Sequence, residues 1–391
     1  MVSYAYQQAA AKRERVLEKQ IKRFAKGYQR RLRKLVKTSS RLGDLLYSFP
    51  AAAFAIVSGH ADHNRRGEAV RLIKDGADLR RVARVLELPG WSKRLPPEAF
   101  VESLGELQGD EVFNRKIVNL IPKEPEVSAM WLQWLQAARA DCNDDFALWM
   151  AAQKIYSQDW ADNFVRPVEP PILPLAAFAW FSAHGDEPAS RLIERPWHAR
   201  MGLGTAVVNM AAWFDKLMLE LSRADQQRGP GRYSKRKGKN RYTLVPLVTA
   251  RDLAEEGEAM NHCVATYASP VAQGHCRIYS VRRANRRVAT LELRWPNHRM
   301  GRPIINQLLG HSNVAVDREV YLAVSDWLAQ NQKLICAPVV GIDNTLDETR
   351  WTAVWRNYIE EKGERAAVTE RPDGYLVARM CRDVDILSRC V

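Results

Sequence analysis

A chain of 391 residues that is 46% hydrophobic and 27% charged has the composition of a folded globular protein, with enough length for two or three cores. That composition excludes a disordered or fibrous chain, and no run of 18 or more uncharged apolar residues offers a membrane span. The formal net charge of +14 is concentrated: residues 1–41 hold 13 Lys/Arg against Glu14 and Glu18, and residues 223–241 hold 8 against Asp225, which leaves the rest of the chain slightly acidic. Two basic segments on a nearly neutral body point to a polyanionic partner, most often nucleic acid, DNA or RNA. Cys142, Cys263, Cys276, Cys336, Cys381 and Cys390 form no paired framework. With no export signal in view, reduced thiols and a cytoplasmic location are expected.

In chain order, residues 12–37 read as one helix. Leu17, Ile21, Phe24, Tyr28, Leu32 and Leu35 recur at steps of three and four and line one face. Arg30, Arg31, Arg33, Lys34 and Lys37 fill the other faces, as a solvated surface, as phosphate contacts or against an anionic membrane surface. Residues 1–41 thus form a basic amphipathic helical segment. Residues 42–222 read as a helical domain holding eight of the twelve tryptophans, which serve best as core anchors. Residues 223–241, "RADQQRGPGRYSKRKGKNR", read as a flexible linker, with Arg232, Lys235, Arg236, Lys237, Lys239 and Arg241 as candidate phosphate contacts.

After the linker the pattern changes. "YTLVPLV" (242–248) is strand-like, a helical stretch begins near Thr249 with an interruption around Gly257, and three strand-like runs follow at 277–283, 287–295 and 303–310. A helix at about 315–332 completes a β-α-β-β-β-α unit over residues 242–335. Residues 336–391 add a helical tail, with an amphipathic helix at 346–362 capped by Thr345 or Asp347 and ended by Gly363. The expected fold class is α+β: a largely helical N-terminal region, a small α+β domain and a C-terminal helix.

Strand alternation puts Val288, Thr290, Glu292 and Arg294 on one face and Ser280 with Arg282 on another, so Ser280, Arg282, Thr290 and Glu292 can share one side of the sheet. The same alternation fits an ordinary solvated face. It also places Gln307 with Ile305 and Leu309, and Asn306 opposite.

The ordered series "EEGEAMNHCVATY", "IYSVR", "ATLELR" and "INQLLGHSN" resembles the PcfJ-like family, whose members occur largely on bacterial plasmids and other mobile elements. The resemblance falls on Glu256, Gly257, Met260, His262, Cys263, Val264, Tyr267, Arg282, Thr290, Glu292, Gln307, Gly310 and Asn313, over about 80 residues. "LPGWSKRLPPEAF" (88–100) is similar to a segment upstream in alphaproteobacterial members, while Leu309 and His311 stand where many relatives carry basic residues. The resemblance implies a domain and a mobile-element setting rather than a reaction.

The dipeptide His-Cys occurs at His262-Cys263 and again at His275-Cys276, and the family pattern contains the first pair alone. Neighbouring residues on a helix point about 100° apart and seldom share one ion. Neither pair has the usual zinc-ligand spacing, so no metal or cofactor is expected. Within a helix His262 would not reach Cys263 either, so a Cys/His couple needs a break there. Cys263 reads as a small buried hydrophobe or as a nucleophile, and His262 as a base, acid or structural donor oriented by Glu292. The candidate catalytic set is His262, Cys263, Tyr267, Arg282, Thr290, Glu292, Gln307 and Asn313.

Three function classes follow. One is a nucleic-acid-associated protein of a bacterial mobile element or phage-defence context, whose polar pocket processes the bound strand or an attached group. The second is a non-enzymatic adaptor or regulator of plasmid transfer or maintenance. The third is Cys-dependent acyl or peptide transfer. No Walker loop, dinucleotide fingerprint or H-E-x-x-H motif is present.

Overall fold

The computed structural model describes residues 4–105, 107–153, 170–221, 233–237, 240–272, 274–295, 303–331, 346–363, 380, 382–384 and 386–387. The chain divides into two compact units, Met1–Ala176 and Ala177–Arg389, so the stretch 42–222 is shared between them.

The first unit is helical: α1 (Tyr4–Ile21), α2 (Lys26–Lys37), α3 (Ser40–Ser48), α4 (Pro50–Ser58), α5 (His63–Asp75), α6 (Leu79–Val85), α7 (Glu111–Ile117), α8 (Pro125–Asp141) and α9 (Asp144–Ala151). The single helix expected over 12–37 is two. Ala25 takes extended backbone (φ −55°, ψ 139°) and starts α2. The apolar steps of three and four run through the turn unbroken, because Ile21, Phe24 and Leu32 are all buried; periodicity alone does not show the break. α4 is buried along nearly all its length and carries Phe54, stacked on Phe100 at 5.1 Å and edge-on to Tyr28 at 4.6 Å. Asp62, Asp78, Asp110 and Asn143 cap α5, α6, α7 and α9 with their side chains.

The second unit begins within α10 (Leu173–Ala183), followed by α11 (Leu203–Leu221). Its five strands, β1 (Tyr233–Lys237), β2 (Asn240–Leu247), β3 (Cys276–Arg283), β4 (Arg286–Arg294) and β5 (Ile304–Leu309), form one antiparallel meander in chain order. Between β2 and β3 lie α12 (Ala250–Met260), a 3-10 turn at Cys263–Tyr267 and α13 (Ala268–Ala272); after β5 come α14 (Arg318–Asn331) and α15 (Glu348–Lys362). The architecture is α+β. α15 starts at the Asp347 cap and ends at Gly363, in line with expectation.

The segment expected to be a tether differs. β1 and the start of β2 make a hairpin in which Arg236 is the register partner of Arg241 and Lys237 of Asn240. Antiparallel pairing onto an existing sheet supplies the backbone hydrogen bonds that composition gives no hint of. Arg232 and Lys239 lie outside the described residues.

The sheet is covered on both faces. On one, Tyr279, Val281, Ala289, Leu291 and Leu293 pack against Val320, Ala323, Val324, Trp327 and Leu328 of α14. On the other, Leu247, Cys276 and Ile278 pack with Leu253, Val264, Ala268, Val271 and Leu219. The helical part of the unit is an aromatic cluster: Trp180 and Phe181 meet Trp355 and Tyr358 of α15, and Phe181 also meets Trp213, with ring centroids 5.3 to 6.1 Å apart. Trp91, Trp131, Trp134, Trp149, Trp180 and Trp213 are buried as core anchors, Trp197 is half-buried, and Trp160 lies outside the described residues.

Candidate functional site

The site begins with a cap. Thr249 and Asp252 form a reciprocal capping box that fixes the start of α12. The helix stops at Asn261, which takes left-handed backbone (φ 51°, ψ 54°) with its N–H on the carbonyls of Gly257 and Glu258. Asparagine tolerates this conformation better than most residues. The break is therefore at Asn261, four residues past the expected interruption. Gly257 has a different role: a Cβ there would lie 3.0 Å from the His262 carbonyl oxygen, so the chain folds back tightly against α12. His262 then adopts extended backbone (φ −150°, ψ 170°) and leads into the 3-10 turn.

That exit angle aims the imidazole at β4. His262 Nε2 is 2.8 Å from Thr290 Oγ1, Thr290 Oγ1 donates to Glu256 Oε1 at 2.9 Å, and Arg287 Nε donates to Glu256 Oε2 at 2.8 Å. Glu256 is fully buried. A threonine hydroxyl carries one proton, and an ionised carboxylate can only accept. Thr290 therefore spends its proton on Glu256 and accepts from His262 Nε2–H. The neutral ring is held as the Nε2–H tautomer, leaving the Nδ1 lone pair free of any partner among the described residues. Thr290→Val should release this choice. In long-range 1H–15N spectra of histidine-labelled protein we expect one Nε2–H tautomer for wild-type His262 and a mixture for the variant; an Nδ1–H ring in the wild type would contradict the chain of donors.

Seven of the eight candidate residues converge. His262, Cys263, Tyr267, Thr290, Glu292, Gln307 and Asn313, with Val264, Ile278 and Leu309, line one cleft of about 340 Å³, counted out to its open mouth. Burial, then the nearby Glu292 carboxylate, raise the Tyr267 phenol above its usual value, so it stays protonated at neutral pH. The Gly310 turn is bent through left-handed Ser312 (φ 53°) and Asn313 (φ 60°), and Ser312 Oγ accepts from Asn261 Nδ2 at 2.9 Å, tying this turn to the one bearing His262.

Four expectations are corrected. Arg282 does not line the cleft; its Nε donates to Ser280 Oγ at 3.1 Å. Glu292 does not orient His262: its carboxylate is bonded by Arg294 and by Asn306 Nδ2, the latter at 2.8 Å. Asn306 reaches it because the β4–β5 register slips between Glu292 and Leu293, where Glu292 faces Gln307 but Leu293 faces Ile305. This bulge turns Asn306 toward Glu292 and sends Ile305 to the core with Leu308, away from Gln307. Cys263 is exposed rather than buried, because the helix ends before it.

Glu256 and Arg287 complete the site and were absent from the expected set. Glu256 stood in the family pattern. Arg287 is hidden from simple alternation by a second bulge, where Arg282 pairs with Arg287 and Val288 is displaced onto the core. The second pair, His275-Cys276, leads into β3, where Cys276 is buried; burial, with Glu292 nearby, pushes its thiol up to about 12. Iodoacetamide should thus modify Cys263 well before Cys142 and Cys276, read by peptide mass mapping; equal labelling of Cys276 in the native protein would contradict the packing of β3.

In the first unit, Arg33 is bonded by both oxygens of Glu18, and Arg31 donates to the Val57 carbonyl at 3.1 Å. These two contacts brace α2. Arg30, Lys34 and Lys37 are exposed, as is Lys26, and among the described residues none of the four meets a carboxylate. At about 100° per residue the four fall within an arc of about 80°. They form a free basic stripe. Lys26 was missed because the single-helix reading left it in mid-helix rather than at the start of a stripe.

No group of three His, Cys, Asp or Glu side chains among the described residues is arranged to hold a metal ion, and no helix among them is long and apolar enough to cross a membrane. Compared with known proteins, residues 221–316 match the model of the family described as PcfJ-like protein, a span that contains β1 to β5 and every residue of the cleft. No curated protein and no solved structure matches the chain.

Proposed function

Taking residues 221–316 as a PcfJ-like domain, we propose that this protein binds nucleic acid and that its cleft acts on the bound strand with His262 as the proton-accepting group. The observation that carries the catalytic half is the chain from Arg287 through Glu256 and Thr290 to His262, which fixes the ring and leaves Nδ1 free in an open cleft. A neutral histidine held this way, with one ring nitrogen donating and the other unengaged, is suited to general base work. The basic stripe of α2 supports the binding half, and β1 and β2 add Lys235, Arg236, Lys237 and Arg241 to the positive segments. A plasmid or mobile-element setting belongs to the same reading. Binding of a fluorescent random-sequence nucleic-acid pool tests it: affinity should fall steeply with salt, and an affinity that is flat from low to physiological salt would sink the proposal.

Cys-dependent transfer remains as a second reading on one observation, the exposure of Cys263 at the cleft. Cys263→Ser separates the two: it should leave strand processing intact and abolish any thioester chemistry.

A further inference from the structure

The groups in the cleft also say which nucleic acid it suits. Cleaving a DNA phosphodiester needs an outside nucleophile, commonly a water set by metal-bound carboxylates or an ionised protein hydroxyl in line, and burial with the Glu292 carboxylate nearby keeps the Tyr267 phenol protonated. Among the described residues the one carboxylate lining the cleft, Glu292, has both oxygens engaged, by Arg294 and by Asn306. What the cleft offers instead is a free imidazole nitrogen, a protonated phenol, the exposed amides of Gln307 and Asn313, and the half-exposed Arg294 guanidinium held at its edge by Glu292. RNA brings its own nucleophile, the ribose 2′-OH, and asks only for a base, an acid and a cation. Amide side chains can also read the 2′-OH and base edges of an unpaired strand.

We propose that the cleft cleaves single-stranded RNA by internal transesterification, with His262 Nδ1 as base and Tyr267 as acid. This rests on the nucleic-acid reading above. His262 Nδ1 takes the proton from the 2′-OH, and the 2′ oxygen bonds to phosphorus. The bond from phosphorus to the 5′ oxygen breaks, and that oxygen takes its proton from the Tyr267 phenol. The products are a 2′,3′-cyclic phosphate and a 5′-hydroxyl. The proton on His262 returns to Tyr267 through solvent, and no other reactant is consumed. Arg294 stands beside Tyr267 and Glu292, where it faces the charge that grows on the phosphoryl oxygens.

The experiment uses the full chain with three end-labelled 30-nucleotide random pools: RNA, DNA, and DNA carrying one central ribonucleotide, all in EDTA. Cleavage is read on gels and by mass, and binding by anisotropy on the same samples. We expect RNA to be cut to cyclic-phosphate ends, the mixed pool to be cut only after its ribonucleotide, and DNA to stay whole. His262→Ala should lower the rate by at least about 100-fold with the binding constant unchanged. Tyr267→Phe should slow RNA cleavage but not that of uridine 3′-(4-nitrophenyl phosphate), whose leaving group needs no proton. RNA that binds yet stays whole overturns this inference alone, as does equal cutting of DNA or an undiminished His262→Ala. A protein that binds none of the pools overturns both this inference and the function it rests on.

Discussion

Replacing Lys26, Arg30, Lys34 and Lys37 together by glutamine should remove most of the salt-dependent affinity for nucleic acid. Each phosphate neutralised lowers the slope of log affinity against log salt by about 0.9 on duplex DNA and about 0.7 on a single strand. Four contacts give slopes of about −3.6 and −2.8, hence a loss of about 50- to 150-fold between 50 and 200 mM salt. The steps of four, four and three residues along α2 space these cations at about 6, 6 and 4.5 Å, close to the separation of phosphates along a strand. The quadruple variant should lose this slope while its helix content is unchanged, because all four side chains are exposed and none braces a neighbour. Arg33→Gln serves as the internal comparison. It should barely alter the slope and should instead loosen α1 from α2, because its partner is Glu18. A quadruple variant that binds with an unchanged slope would move the interface elsewhere.

Glu256 is expected to be the costliest polar side chain of the second unit to remove. It is fully buried between Thr290 and Arg287, and Arg287 is itself 30% exposed. Glu256→Met strands the Arg287 charge and leaves the Thr290 hydroxyl without its acceptor, which costs about 3 kcal/mol, the lower end for a broken buried pair since water reaches part of the guanidinium. For a unit of this size that loss lowers the melting temperature by about 6–12 °C. Arg287→Met should cost a similar amount by stranding the carboxylate. The double variant should cost clearly less than the two together, because no uncompensated charge remains. Strict additivity in that cycle, read by thermal unfolding, would mean that the pair is not coupled. Glu256→Met and the double variant should also scramble the His262 tautomer, which a purely structural ion pair would leave alone.

The sequence carried the outline of the sheet and most of the cleft, for identifiable reasons. β3, β4, β5 and α14 follow from strand periodicity and a closing amphipathic helix, because each buries one regular face. His262, Thr290 and Gln307 could be placed by the family pattern and by alternation. What alternation misplaced lies at the two bulges. A single extra residue reverses which side every following side chain takes, so Val288 and Arg287 exchanged faces on β4, and Ile305 and Asn306 did so on β5. Nothing in residue type marks either slip. The β1–β2 hairpin was hidden for another reason: glycine and lysine have low strand propensity, and its order comes from pairing with β3 through β2. The exposure of Cys263 depended on Asn261 ending α12 one turn after a glycine that looked like the better stop.

Gly257 sets a spacing rather than a backbone angle. The hydrogen atom it carries in place of a methyl lets the carbonyl of His262 rest against the helix flank, and the Ala265 nitrogen lies next in line at 3.4 Å from where a Cβ would stand. An alanine there gains about 1 kcal/mol of helix propensity, yet pushes the histidine-bearing backbone outward by a few tenths of an ångström. Helix propensity and the placement of His262 therefore pull in opposite directions at this position. Position 257 works as a shim: its thickness sets how deeply the His262 ring reaches into the cleft without altering any residue that lines it.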